Sequence, residues 1–460
     1  MHTLSPAPAP PADRRVGDIP RTSPRPAEPA PDAVARRVRL VGGMVAVLVC
    51  ACHALANRHL INPDGICYLD AAAAYQRGDW AAAVNAYWSP LYSWLLAAAF
   101  AVVRPAPYWE CAVAHAVNFA SFLLALAAFE GLLAELLRGR RAERERLSES
   151  WHDLLPDWLV VGVGYTLFIV VARRLVTVSA VTPDMLVLAG ALAASWLLLR
   201  LRRTRSGRDA GLLGVVLGLS YLAKAVMFPL AFVYLGLALL LTGRGGLRPF
   251  VLAAAGFAAL AGPWVTVLSV SRGKATFGES GRLNYLWYVN GLPHPNQLAR
   301  RETPLTPRDP RALIGTPLLT RCEPEAGETT PLWYDPTRFY EGVTPRFDLR
   351  QQAAASAHVA AFYYSLFVER LMGWTMAVLA LVGYGYFAGR NGWLLRWSAA
   401  WWRYAPLLLP AIAGLSLYLV VGHAEGRLVG PFVLLLGLGL LATVTLPHPR
   451  QASARPFGAA

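Results

Sequence analysis

The sequence predicts an all-α polytopic membrane protein with about ten (ten to eleven) transmembrane helices, on three observations. Of its 460 residues, 55% are hydrophobic and only 15% are charged, whereas an ordinary soluble domain is about a quarter charged. Mean hydropathy is +0.39. The apolar residues fall into separated runs, most of them near the ~20 residues that a helical crossing needs. A soluble enzyme, a disordered chain and a fibrous repeat are thereby excluded. The net charge of +15 could by itself suit nucleic acid. In a membrane protein, however, arginine marks cytoplasmic loops and the anionic lipid surface, so no nucleic-acid partner is expected. The five cysteines make no disulfide framework and match no zinc spacing.

Residues 1–38 hold nine prolines and scattered arginines without apolar periodicity, the pattern of a disordered cytoplasmic tail. The first span runs from about Leu40 to Ala56, behind Arg36, Arg37 and Arg39. Ala54-Leu55-Ala56 resembles a signal-peptidase site, but the long tail before it favours an uncleaved anchor. The stretch Pro90 to Val103 is about fourteen residues, too short to span, and is expected to be a juxtamembrane helix. Further spans are expected at 110–137, 158–172, 184–201, 210–223, 228–242, 249–270, 361–388, 404–421 and 428–446. Ten spans put loops 138–157, 200–209, 243–248 and 389–403 in the cytoplasm, and all four carry arginine, as the positive-inside bias requires. Counting 90–103 as a span would turn the two richest loops outward. The membrane unit thus covers 39–446, with outer loops at 57–109 and 271–360, the second a small irregular lid, and a cytoplasmic tail at 447–460.

The outer side collects the residues able to carry chemistry. Asp64, in Asn62-Pro63-Asp64-Gly65, lies just past the first span. The motif also reads as a plain turn, or as Asn62 capping a helix with Pro63 at its first position. Asp184, in Val181-Thr182-Pro183-Asp184, has the same alternative, with Thr182 as the cap and Asp184 favouring the helix dipole. Both carboxylates nevertheless reach the same membrane face from distant segments. Cations join them: Arg173 and Arg174, the late turn His423-Ala424-Glu425-Gly426-Arg427, and Lys224. Only Lys224 and Lys274 break an otherwise all-arginine basic set, which hints that a compact ammonium is wanted there. Snorkelling to the interface is the ordinary alternative for each. Tyr68, Trp88, Tyr92, Trp333 and Asp335 sit in the two outer loops, where aromatics either form an interfacial belt or stack on sugar rings. There is no Walker A motif, no G-x-G-x-x-G opening a helix, no H-E-x-x-H, no C-x-x-C and no Asp-x-Asp, so neither a soluble nucleotide donor nor a metal cluster is indicated.

Together these pieces resemble the membrane-embedded GT-C glycosyltransferases, in the branch of the protein O-mannosyltransferases and the aminoarabinose transferase of lipid A. The residues that carry the resemblance are Asp64-Gly65 with Tyr68, the Trp88–Trp94 segment, Thr182-Pro183-Asp184, Gly218-Leu219-x-Tyr221-Leu222-x-Lys224 and Glu425-x-Arg427. The resemblance implies a polyprenyl-phosphate sugar donor, with Asp64 as the catalytic base and Asp184 in the same cavity. Relatives often carry Lys-Pro before the juxtamembrane helix. Ser89-Pro90 stands there in this chain, which shifts the expected phosphate contact to Lys224, Arg174 or Arg427. Sugar or acceptor contacts are expected from Tyr68, Trp88, Tyr92, Trp333, Asp335 and Glu425. No cofactor is required; a divalent metal assisted by Asp184 stays open but is not indicated. The acceptor is a protein, glycan or lipid hydroxyl, and the protein is placed in a bacterial inner or plasma membrane with its site outside. A polyprenyl-linked glycan polymerase or ligase, and a lipid or solute transporter, are the alternatives.

Overall fold

The computed structural model describes residues 31–147, 152–295, 311–315, 318–321, 329, 331–372 and 401–447. The expected tails at 1–30 and 448–460, the latter half of the 361–388 span and most of the 389–403 loop lie outside them. Helix α1 is Pro31–Ala56. It begins eight residues earlier than the expected tail boundary, because Pro31 is tolerated in a first turn and the Ala-Val-Ala-Arg-Arg run behind it favours helix. The first outer loop folds as α2 (Pro63–Arg77) and α3 (Pro90–Val103). The bundle continues with α4 (Glu110–Leu147), α5 (Asp157–Val170), α6 (Asp184–Thr204), α7 (Gly207–Ala223), α8 (Met227–Leu241) and α9 (Leu247–Arg272). The second outer loop contains α10 (Ser280–Tyr288) and leads into α11 (Leu349–Tyr364). The last pair is α12 (Ala405–Val421) and α13 (Gly426–Thr443).

Six helices among the described residues are long and apolar enough to cross a membrane, and Pro90–Val103, Met227–Leu241 and Ala405–Val421 are shorter apolar helices. The chain is an all-helical polytopic membrane protein, with helix at each apolar run as far as the described residues extend. Its strands are small antiparallel pairs: β1 (His152–Leu154) with β4 (Thr445–Pro447), and β2 (Arg311–Gly315) with β3 (Leu318–Arg321).

Charge sorts to two poles. At one, Glu135 takes Arg138 and Arg203 at 2.8 and 2.6 Å, Asp157 takes Arg141 and Arg144 at 3.3 and 3.1 Å, and Asp209 takes Arg200 at 3.0 Å. Buried Arg140 donates to the carbonyls of Leu155 and Ala442 at 2.8 and 3.1 Å. Loops 138–157 and 200–209, both expected in the cytoplasm, therefore meet at one end, and the β1–β4 pair ties the first of them to the end of α13. The other pole holds Asp64, Asp184, Lys224 and Arg427.

Candidate active site

The site is built on a turn that α4 holds from below. His115 of α4 contacts the carbonyls of Val178 and Leu60 at 3.1 and 2.8 Å, and Asn118 donates to that of Val178 at 3.3 Å. These bonds satisfy backbone groups that a buried irregular segment would otherwise leave unpaired. They bring the end of α1 beside the start of α6.

Asn62 then makes the decisive link. It occupies the cap position of α2, with Pro63 at the first position as expected, but its side chain makes no capping bond. Its Oδ1 instead accepts from the Val181 amide at 2.9 Å. Gly65 permits this approach: a Cβ there would lie 2.8 Å from Val181 Cβ and 3.1 Å from its carbonyl oxygen. Helix α6 begins at Asp184, with Pro183 rather than Thr182 at the cap and no side-chain cap bond. The two motifs that resemble separate turns are thus one interlocked corner carrying both carboxylates.

Arg427, in the first turn of α13, bridges them. Its Nη1 lies 2.6 Å from Asp64 Oδ2 and 3.8 Å from Asp184 Oδ2, while its Nε donates to Glu425 Oε2 at 2.8 Å. Lys224 Nζ, at the end of α7, pairs with Asp184 Oδ1. Asp184 is 3% exposed, and its Oδ2 accepts no hydrogen bond. The Trp333 indole donates to Asp64 Oδ1 at 3.0 Å, so both oxygens of Asp64 are engaged. His423 Nε2 lies 3.2 Å from Glu425 Oε1. The His423 hydrogen bond first, and Arg427 next, hold the Glu425 carboxyl down to about 2.

All of these groups except the buried Asp184 open onto a cavity of about 500 Å³. Asp64, Tyr68, Trp88, Lys224, Trp333, Glu425 and Arg427 line it, as does Ser89. The aromatic walls touch edge to face: Tyr68 with Trp88 at 5.2 Å, and Trp88 with Trp333 at 5.7 Å between ring centroids. Such contacts fix the orientation of flat faces.

Three expected site residues stand elsewhere. Arg174 is exposed on the π-turn Val171–Leu175, whose Val171, Ala172 and Leu175 are the buried members. That winding turns Arg174 away from the cavity, so it does not join Lys224. Tyr92 is fully buried and donates to Asn118 Oδ1 at 2.6 Å, supporting the scaffold rather than lining the site. Asp335 is also buried, pairing with Arg272 at 2.7 Å and accepting from the Thr337 amide at 3.2 Å. It anchors the outer segment that presents Trp333.

The cavity also takes Tyr87 and His423, of the first-loop aromatics and the late turn, together with Trp287, Tyr288 and His294, which sequence reasoning did not single out. The signal for two of them lay in the helical spacing of Leu283, Leu286 and Trp287, which α10 buries. His294 sits against Trp287 and Trp333 at 4.7 and 4.8 Å between centroids. Burial, with His423 adding to it, holds its imidazole below the ordinary range. Among the described residues, no group of three or more His, Cys, Asp or Glu could hold a metal ion.

No family model and no curated protein matches the chain. The chain is similar to the solved structures of ArnT from Cupriavidus metallidurans in the apo state and bound to undecaprenyl phosphate. Each is 16% identical, with a TM-score of 0.35, over 89% of this chain and 77% of that one.

Proposed function

We propose that the protein transfers a sugar from a polyprenyl-phosphate-linked donor to an acceptor hydroxyl at the extracytoplasmic membrane face, with inversion. The observation that carries this reading is the convergence of Asp64 and Asp184 on Arg427, with Lys224 beside them, at an aromatic-walled cavity. It joins on one corner the pieces on which the GT-C resemblance rests.

The chemistry balances with these groups. The acceptor hydroxyl gives its proton to the Asp64 carboxylate as its oxygen attacks the anomeric carbon. The bond from that carbon to the phosphate oxygen breaks on the opposite face, and its electron pair leaves with the phosphate. The phosphate gains one negative charge, which Lys224 and Arg427 are placed to stabilise. A donor phosphate drawing Arg427 toward itself would release Asp64 Oδ2, and the acceptor would take the place of the Trp333 indole on Oδ1. Asp184, through Lys224 and Arg427, orients the cations. The ring faces of Tyr68, Trp88 and Trp333 suit stacking on a sugar. A transporter would place coupled polar sites near the bilayer midplane on broken helices; these charges lie at one pole.

Purified protein incubated with radiolabelled polyprenyl-phosphate sugars and membrane extract tests the proposal. The expected result is label transferred to an extract component, abolished by Asp64→Asn. Transfer to a lipid-linked glycan would identify a polymerase or ligase. Absence of transfer from every such donor would overturn the donor class.

A further inference from the structure

The charges around the cavity do not balance. Among the described residues, Asp64, Asp184 and Glu425 face two permanent cations, Lys224 and Arg427, and both are already paired with those carboxylates. With neutral histidines the group carries one unmatched negative charge. A phosphodiester brings another, and the released phosphate monoester would bring two. A site meant for phosphate is therefore short of positive charge as it stands.

We infer that His423 supplies one further positive charge, taking up a proton when a lipid phosphate binds and so serving as a phosphate-recognition residue in its imidazolium form. The inference rests on the polyprenyl-phosphate reading above, and it is carried by position. His423 lines the cavity in the turn between α12 and α13, stacked on Tyr288 with centroids 4.1 Å apart at 9°. Its Nε2 meets Glu425, which holds Arg427, which in turn holds Asp64. An imidazolium there gives Glu425 a cation of its own. Arg427 is then free to turn from carboxylate to phosphate, and one proton both lowers the charge deficit by one and releases the base.

The neighbouring groups leave His423 as the acceptor of that proton. Tyr288 faces it from α10, and burial first and Glu425 second hold that hydroxyl above its ordinary range, so it stays neutral. His294 is kept neutral by burial. Glu425 stays ionised to about 2, and Arg427 is permanently charged. Helix α11 brings Ala355, an uncharged residue, to this turn. Histidine is the side chain that ordinarily changes charge between pH 5 and 8.

Full-length protein in nanodiscs, titrated with undecaprenyl methyl phosphate from pH 5.5 to 8.5, tests the inference. This diester keeps a single negative charge over that range, so any pH dependence belongs to the protein. Kd should rise with pH across this range by up to about tenfold per pH unit, the slope of one linked proton. Calorimetry in buffers of different ionisation enthalpy should report about one proton taken up. His423→Gln should bind at least tenfold more weakly at pH 6 with a flat profile, and His423→Lys should bind tightly with a flat profile. His294→Gln should keep the wild-type slope. A flat wild-type profile, or a slope that survives in His423→Gln, would overturn the inference while leaving the donor reading intact. No binding at any pH would overturn the donor reading and the inference with it.

Discussion

At the scale of single residues, function depends on a corner where side-chain volume is set to within one methyl group. Asp64 and Asp184 hold their spacing because Asn62 reaches Val181 across the bare Cα of Gly65. Gly65→Ala should push these two segments apart, since β-branched Val181 cannot rotate its Cβ away. The expected cost is about 1–3 kcal/mol, the usual range for overpacking, visible as a lowered melting temperature with a larger fractional loss of transfer activity. Asp64→Asn keeps the volume and removes the base. Transfer should fall by about 10²–10⁴-fold with melting little changed, because Arg427 keeps its bond to Glu425 and the amide oxygen can still accept from Trp333. Glu425 makes a pH prediction. Its folded value lies below its ordinary one of 4.5, so its contribution to stability is present above about 4.5 and is lost as pH falls toward 2. The melting temperature of Glu425→Gln should therefore depend less on pH in that window than that of the wild type.

At the scale of elements, close helix crossings position the charged ends. Helices α7 and α9 meet backbone to backbone. A Cβ on Gly214 would lie 2.1 Å from the Ala253 carbonyl oxygen, and one on Gly256 would lie 3.0 Å from the Gly211 carbonyl oxygen. Small residues at such a contact let membrane helices gain packing energy where no hydrophobic drive exists between them. Since α7 ends at Lys224, spreading this pair would displace the ammonium from Asp184. Gly214→Ala should lower the melting temperature in detergent and weaken donor binding together. Gly211→Ala, whose Cβ would meet open space, should do neither.

The outer segment shows the same division of labour. Asn85 donates to the Tyr334 carbonyl, Tyr334 returns a bond to that of Ala82 at 2.8 Å, and Asp70 takes both the amide and the hydroxyl of Thr329 at 2.8 Å. These bonds fasten the second outer loop to the first and carry Trp333 onto Asp64.

At the scale of the whole molecule, the two poles of charge set which way the site faces. If the arginine-rich pole is cytoplasmic, then in a cysteine-free background Arg208→Cys should resist a membrane-impermeant maleimide in intact spheroplasts. Glu341→Cys should react. The reverse pattern would turn the catalytic face inward. Much of this architecture was legible in advance: apolar runs gave the helices, and the fourteen residues of Pro90–Val103 marked the short one. Arg174 was misplaced because position in a sequence fixes depth in a membrane but not rotation about a helix axis, and a π-turn changes that rotation. Tyr92 and Asp335 were misassigned because an aromatic or carboxylate in an outer loop reads alike whether it lines a cavity or props one up.

The sequence by itself determined the class of solvent, the approximate helix boundaries, the separation of arginine from the outer carboxylates, and the candidacy of Asp64, Asp184, Lys224 and Arg427. Each of these follows from local composition, which the bilayer reads directly. Only the tertiary structure decided that Arg427 bridges the two carboxylates, that Trp333 already occupies Asp64, and that His423 stands next in the chain of charges. The first two facts depend on contacts between segments hundreds of residues apart, which no local pattern encodes, and the third matters because the same packing sets that turn beside Asp64.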